Sequence, residues 1–306
     1  MLAEFSGYIA ADELYDGRFC VLSIVDNRTF RRIAYEVLDH TPTQADVESF
    51  FRAFQTALSQ RGLVLRGITT DGSFLYPEPI AKVFGHVAHQ ICEFHVLRKL
   101  AEGTLHALAK IRKALTASKP SIGRGRPCST LARRTARRRL AIDRKVHDLY
   151  EHRHLFVRRS LSPDARRKLS RLARGRPALQ TLREIMDQVY GLFDRRCRME
   201  TALAKLARLR RRVRRFQWIG RALQKLYAPS LHKALTFLDD RLLPSTGNAV
   251  ERSNRRHRKM QNSIYRVRTV DNLRGRIALD LHREQRAKPR YHTIHSLHRA
   301  RLLKAA

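Results

Sequence analysis

From Tyr8 to Leu38 the chain shows three strand patterns joined by turns too short for anything but antiparallel neighbours. Tyr8–Leu14 (YIAADEL) reads as a strand with an Asp-Glu pair near its end. Phe19–Val25 (FCVLSIV) is a nearly continuous apolar run with β-branched residues, the pattern of a buried strand. Asp16-Gly17 between them is a hairpin signal. A second turn at Asp26-Asn27 leads to Arg32–Leu38, which alternates moderately. The period then changes. Thr43 starts a helix with Ala45, Val47, Phe50, Phe51, Phe54 and Leu58 on its apolar side, and Asp46 stands where a capping box needs an acceptor. That helix ends near Gly62. Val64–Thr70 is a fourth strand closing on Asp71-Gly72, Pro77–Phe84 a short helix, and His86–Phe94 a fifth strand. The predicted order is βββαβαβ.

This order, with the first helix crossing over to a parallel strand, resembles the front of a ribonuclease H-like fold, an α/β core whose active sites are built from strand-end carboxylates. In such a sheet the first and fourth strands are neighbours, which would bring Asp12 and Asp71 within metal-bridging distance. Hard carboxylate oxygens with open positions suit Mg²⁺ or Mn²⁺. Glu13, Asp16 and Asp26 compete for the first ligand position. Asp12 is preferred because Tyr8, Ala10 and Asp12 share a strand face.

Charge divides the chain. The net charge is +36, yet residues 1–95 hold 8 basic and 12 acidic residues, whereas the remainder holds 55 basic and 15 acidic. A hydrophobic content of 43% supports a packed core rather than a disordered basic tail. Charge on this scale calls for a polyanion, and nucleic acid is the expected partner. No apolar run approaches the ~20 residues of a spanning helix, so a membrane partner is not expected. No signal-peptide pattern is visible, and four scattered cysteines fit a reducing cytoplasm.

Beyond Val96 the pattern is helical, with apolar stripes opposite strongly cationic faces. Predicted helices are His95–Ser118; Thr130–Ser160 with Leu131, Leu140, Val146, Leu149 and Leu155 inside; one beginning at Ser162-Pro163; and one from Pro177 to about Trp218. Trp218 is expected to pack in the core. Arg211, Arg212, Arg214 and Arg215 form the densest basic run. Arg124-Gly125-Arg126-Pro127 and Arg174-Gly175-Arg176-Pro177 are identical tetrapeptides that resemble the core of an AT-hook. The preferred reading is simpler: Gly and Pro break the chain between helices, and the loops face DNA.

After Pro244, the stretch Ser245–Lys259 (STGNAVERSNRRHRK) places one carboxylate, Glu251, among Arg252, Arg255, Arg256, Arg258 and Lys259. On a helix capped by Ser245 or Thr246, residues Glu251, Asn254, Arg255 and Arg258 share a face. A carboxylate among arginines suits a site that binds a metal and a polyanion together. Ile264–Val267 and a helix from Asp271 to about Arg286 follow.

The stretch Ile68–Leu100 (ITTDGSFLYPEPIAKVFGHVAHQICEFHVLRKL) resembles the middle of DDE transposases of the Mutator-like group and related bacterial insertion-sequence enzymes. In that group the second catalytic Asp ends a strand, a Cys-x-x-His element follows (here Cys92 and His95), and the third acid comes after a long all-helical insertion. The resemblance maps Asp12, Asp71 and Glu251 onto the Asp-Asp-Glu triad, with two Mg²⁺ or Mn²⁺ ions. It implies cleavage of double-stranded DNA at transposon ends and strand transfer to target DNA, by an oligomer on DNA in the bacterial nucleoid. Arg252, Asn254, Arg255, Arg256, Arg258 and Lys259 become DNA contacts, with Arg255 and Arg258 offsetting phosphate charge, as do the basic loops and helices of the insertion. Cys92 and His95 assist the catalytic region; two ligands are too few for structural zinc. The expected organisation is a first core part at 1–100, a helical insertion at 101–243, final core helices at 244–286 and a basic tail at 287–306. Complete enzymes of this kind usually carry a DNA-binding region first; with the first strand near residue 7, a truncated copy or end recognition placed elsewhere is expected. An inactive DNA-binding remnant and a nuclease without strand transfer are the alternatives.

Overall fold

The computed structural model describes residues 2–214, 224–262, 267 and 269–286. The protein is α/β, with a mixed five-stranded sheet and many helices, and it divides into two compact units, Met1–His89 with Gly247–Ala306, and Gln90–Thr246.

The sheet consists of β1 (Tyr8–Asp16), β2 (Phe19–Asp26), β3 (Arg32–Leu38), β4 (Gly67–Thr70) and β5 (Ala88–Ile91), in the order β3-β2-β1-β4-β5. Every residue of β2 is buried, as its unbroken apolar run requires of a strand flanked on both sides. β1 and β2 are antiparallel and joined by a two-residue loop in which Gly17 takes the positive φ (65°) that this tight turn demands. β1 and β4 are parallel, pairing Tyr8 with Gly67, Ile9 with Ile68 and Ala10 with Thr69. The expected β4 start at Val64 moves to Gly67, and Val64 itself is exposed. β5 is also shorter than expected, because Cys92 already caps the next helix and Glu93 and Phe94 are helical.

Helices cover both sheet faces. On one face Ile9, Ala11, Leu22 and Ile24 pack with Phe50, Phe51 and Phe54 of α1 (Gln44–Ser59) and Ile80 and Val83 of α2 (Pro77–Phe84). Thr43 and Asp46 cap α1 reciprocally, as their spacing predicts. On the other face Leu14, Phe19 and Val21 pack with Leu273, Ile277 and Leu281 of helix Val270–Arg286. Ala10 and Val25 there meet Ala249 and Val250 of helix Asn248–Gln261. Alternation along β1 therefore sends Asp12 toward helix Asn248–Gln261 and Glu13 toward α1 and α2.

The second unit is built around one apolar cluster from α3 (Glu93–Ala117), α4 (Thr130–Glu151), α5 (Pro163–Ala173), α6 (Pro177–Leu192) and α7 (Met199–Arg214). α3 contributes Val96, Leu100 and Leu108 to it, so this helix belongs to the helical unit from its first turn. The helices differ from the sequence expectation in two places. The single helix from Pro177 is two, broken after Leu192 where Asp194 Oδ1 accepts the Arg196 N–H at 3.0 Å and its carbonyl accepts from Cys197 at 2.8 Å. The chain can then reverse, and α7 packs on α6. The predicted helix over Thr130–Ser160 ends at Glu151, followed by a 3₁₀ turn at Arg153–Phe156. Only Leu149 of α4 is buried; Leu131 and Leu140 are exposed. Trp218, Arg215, Ile264 and the tail at 287–306 lie outside the described residues. No described helix is long and apolar enough to cross a membrane.

Candidate metal centre

β4 ends one residue before Asp71, and its parallel partner β1 runs on to Asp16. Asp12, midway along β1, and Asp71, just past the end of β4, thus come together. Carboxylate oxygens of Asp12, Glu13 and Asp71 all lie within 4.8 Å of one another. Asp71 is fixed by a local turn, with its Oδ1 accepting the Ser73 N–H at 2.7 Å and Gly72 at φ 90°. The preceding Thr70 hydroxyl contacts His89 Nε2 at 2.9 Å across β4 and β5, which holds the strand end.

Glu251 lies in the first turn of helix Asn248–Gln261, directly after Ala249 and Val250, the two residues that seat the helix on Ala10 and Val25. It is not part of the Asp12/Glu13/Asp71 group, yet its charge is felt at Asp12. One turn on, the buried Asn254 donates from Nδ2 to Asp12 Oδ2 at 2.7 Å. The cap differs from expectation: Gly247, which has no side chain to cap with, occupies the N-cap position, while the Ser245 carbonyl accepts the Glu93 N–H at 2.7 Å.

Burial, followed by the charges of Glu13, Asp71 and Glu251, pushes the Asp12 carboxyl up to about 8. Glu13 is also raised, by burial first, against the opposing hydrogen bond from Tyr76. The same negative field helps raise the Cys20 thiol to about 12 and the Tyr76 phenol well above its ordinary range, burial being the larger cause in both. In a chain of net charge +36 this corner is locally negative. Carboxylates crowded in a half-buried site must take up a proton or share a cation. Asn254 Oδ1 is buried with no hydrogen-bond partner, an acceptor beside Asp12 that a divalent cation or its water shell would satisfy. The all-oxygen donor set fits Mg²⁺ or Mn²⁺.

The two remaining competitors for the first ligand position are engaged elsewhere. Asp26 Oδ1 accepts the N–H groups of Arg28 and Thr29 at 3.0 and 2.8 Å, and its Oδ2 accepts from Ser6 N and Oγ at 2.8 and 2.7 Å. Asp16 Oδ2 accepts from Gln261 Nε2 at 2.7 Å and faces His257 Nε2 at 3.3 Å. Asn254, His257 and Gln261 are therefore one buried polar seam against Asp12 and Asp16. Its signal was present in the sequence, as helical spacing of three and four opposite two strand acids four apart, but only the pairing of the two elements gives it meaning.

The basic residues separate into two kinds. Arg255, Arg258 and Lys259 are exposed on the Glu251 helix, and Arg252 lies over the Phe30 ring at 4.9 Å. Arg256 is instead held by Asp280 and Glu284 at 2.7 and 2.8 Å, and Asn254 is buried and turned inward to Asp12. In the helical unit Arg124, Arg126, Arg174 and Arg176 are exposed on inter-helix loops, with Gly125 and Gly175 at φ 90° and 70°. Arg211 and Arg214 are exposed on α7, whereas Arg212 pairs with Glu184. Cys92 is buried at the α3 N-cap, and the His95 N–H bonds its carbonyl at 3.2 Å. Among the described residues, neither joins a group of three or more metal-ligand side chains.

Comparison with protein-family models, with curated proteins and with solved structures finds no match for this chain.

Proposed function

We propose that this chain is the catalytic region of a DDE transposase, a ribonuclease H-like core that cleaves DNA at transposon ends and joins the freed 3′ end to target DNA. The observation that carries the reading is the meeting of Asp12, within β1, and Asp71, just past the end of its parallel neighbour β4, under a helix bearing Glu251. The strand order β3-β2-β1-β4-β5, helices on both faces, and a helical unit inserted between Asp71 and Glu251 support it.

When bound, two divalent ions, Mg²⁺ or Mn²⁺, supply activation of a water and charge stabilisation at the leaving 3′ oxygen. Asp12 from within β1, Asp71 from just past β4 and Glu251 from the helix would hold the cations, while the Asn254 amide orients Asp12. Arg255 and Arg258, exposed one and two turns beyond Glu251, offset the charge of the scissile phosphate. Double-stranded DNA is the partner, engaged by more than one copy of the chain in the nucleoid.

A labelled transposon-end duplex tests the reading. Wild type is expected to nick it in Mg²⁺ and to give a joined product with target DNA, and Asp71→Ala to lose both activities. Equal behaviour of the two proteins would sink the enzymatic claim and leave a DNA-binding remnant. Nicking without a joined product would instead identify a ribonuclease H-like nuclease.

A further inference from the structure

Strand alternation sends Glu13 to the sheet face opposite Asp12, so by periodicity the two cannot share a ligand. The end of β4 removes that obstacle. β4 pairs with β1 only as far as Thr69, opposite Ala10. Asp71 directly follows the end of β4, past the last paired residues. Asp12 from one face and Glu13 from the other reach around β1 until their carboxylate oxygens and that of Asp71 lie within 4.8 Å of one another.

Glu13 is also held in place. The phenol of Tyr76, itself buried in the apolar cluster of α1 and α2, donates to Glu13 Oε2. A carboxylate aimed at two others is repelled by them, and the phenol keeps it from swinging away. A second feature at the same place points to a cation. The Asn254 amide, 2% exposed and bonded through Nδ2 to Asp12, leaves Oδ1 without a partner. Its acceptor is thus orphaned next to acids that need a positive charge, and the donor set is hard oxygen throughout.

We infer that Glu13, positioned by Tyr76, is a further carboxylate ligand of the divalent-cation site, reaching Asp12 and Asp71 from the opposite face of the sheet. This rests on the reading of Asp12 and Asp71 as cation ligands. Mn²⁺ binding to the full-length chain, followed by titration calorimetry and by the electron paramagnetic resonance of free Mn²⁺, tests it. Glu13→Gln is expected to weaken Mn²⁺ binding by about tenfold or more, as removal of one ligand should, and Tyr76→Phe by roughly three- to tenfold. The unfolding midpoint of the metal-free protein is not expected to fall in Glu13→Gln, since that change removes a buried like charge. Glu13→Asp keeps the charge but withdraws the oxygens by one methylene, and should bind as weakly as Glu13→Gln; it carries the test if the amide variant does not fold. Wild-type affinity in both Glu13 variants, with Asp71→Asn still weakened, overturns the assignment and leaves the roles of Asp12 and Asp71 intact. Absence of Mn²⁺ binding by the wild type overturns both.

Discussion

His257 is 3% exposed on the Glu251 helix, and its Nε2 faces a carboxylate, Asp16, at 3.3 Å. Burial lowers its pKa more than Asp16 raises it, with Arg32 adding to the fall. The ring is therefore neutral near pH 7, and the contact is a hydrogen bond from Nε2–H rather than an ion pair. On acidification the unfolded chain, at about 6.5, takes up the proton before the folded one does. Stability from this group is present above about pH 6.5 and is lost as pH falls through the lower folded value, with a slope of at most ~1.4 kcal/mol per pH unit. His257→Gln keeps a donor for Asp16 and cannot titrate. Urea unfolding at pH 7.5 and 5.5 should show wild type losing more stability on acidification than the variant; parallel losses would remove His257 as the cause. At this same scale the sequence was informative about Asp12 and Asp71, since Asp12 shares a strand face with Tyr8 and Ala10 and Asp71 follows a recognisable strand pattern. It offered Glu13 only as an alternative to Asp12, because alternation places the two on opposite faces, and it was silent about Tyr76.

Helix Asn248–Gln261 reaches the sheet through small side chains. Ala249 and Val250 lie on Ala10 and Val25, all four nearly inaccessible, and Glu251 and Asn254 take their positions from that seat. Ala249→Leu should overpack it, at a cost of about 1–3 kcal/mol in urea unfolding. The displaced helix should also lose Mg²⁺-dependent nicking well beyond what the stability change explains; unaltered nicking would show that the site does not depend on this packing. Such close approaches are not legible in a sequence where alanine is common. The strands and α1 were legible, because β2 is continuously apolar and Thr43 and Asp46 form a reciprocal cap. The reversal at Asp194 was hidden, since the apolar spacing of α6 resumes in α7 and the turn depends on one Asp side chain and a local backbone bond. The exposure of Leu131 and Leu140 was hidden for a different reason: an amphipathic stripe shows that a helix can be covered, not that a neighbour extends far enough to cover it.

The charge of the molecule is divided unevenly between its two units. The helical unit, Gln90–Thr246, carries 39 basic and 12 acidic residues, whereas the acids of the metal centre all belong to the other unit. If duplex DNA is the partner, as proposed, a surface this cationic would bind it chiefly by releasing counterions, so affinity should fall steeply with salt, with a log–log slope near −0.9 for each phosphate neutralised. α4 is the element on which this can be isolated. Arg134, Arg137 and Arg138 are exposed on it, and changing exposed side chains that support no core is expected to alter stability by no more than about 0.5 kcal/mol each. The triple variant Arg134→Gln/Arg137→Gln/Arg138→Gln should reduce the magnitude of the salt slope by roughly 2–3, about 0.9 for each phosphate no longer neutralised. Its effect should be the same on duplexes of unrelated sequence, because interactions with phosphate carry no base information. Fluorescence anisotropy over about 50–200 mM salt reads the slope directly. A slope equal to that of wild type would place the phosphate-binding surface on other faces, with the exposed loops at Arg124 and Arg174 the next segments to neutralise.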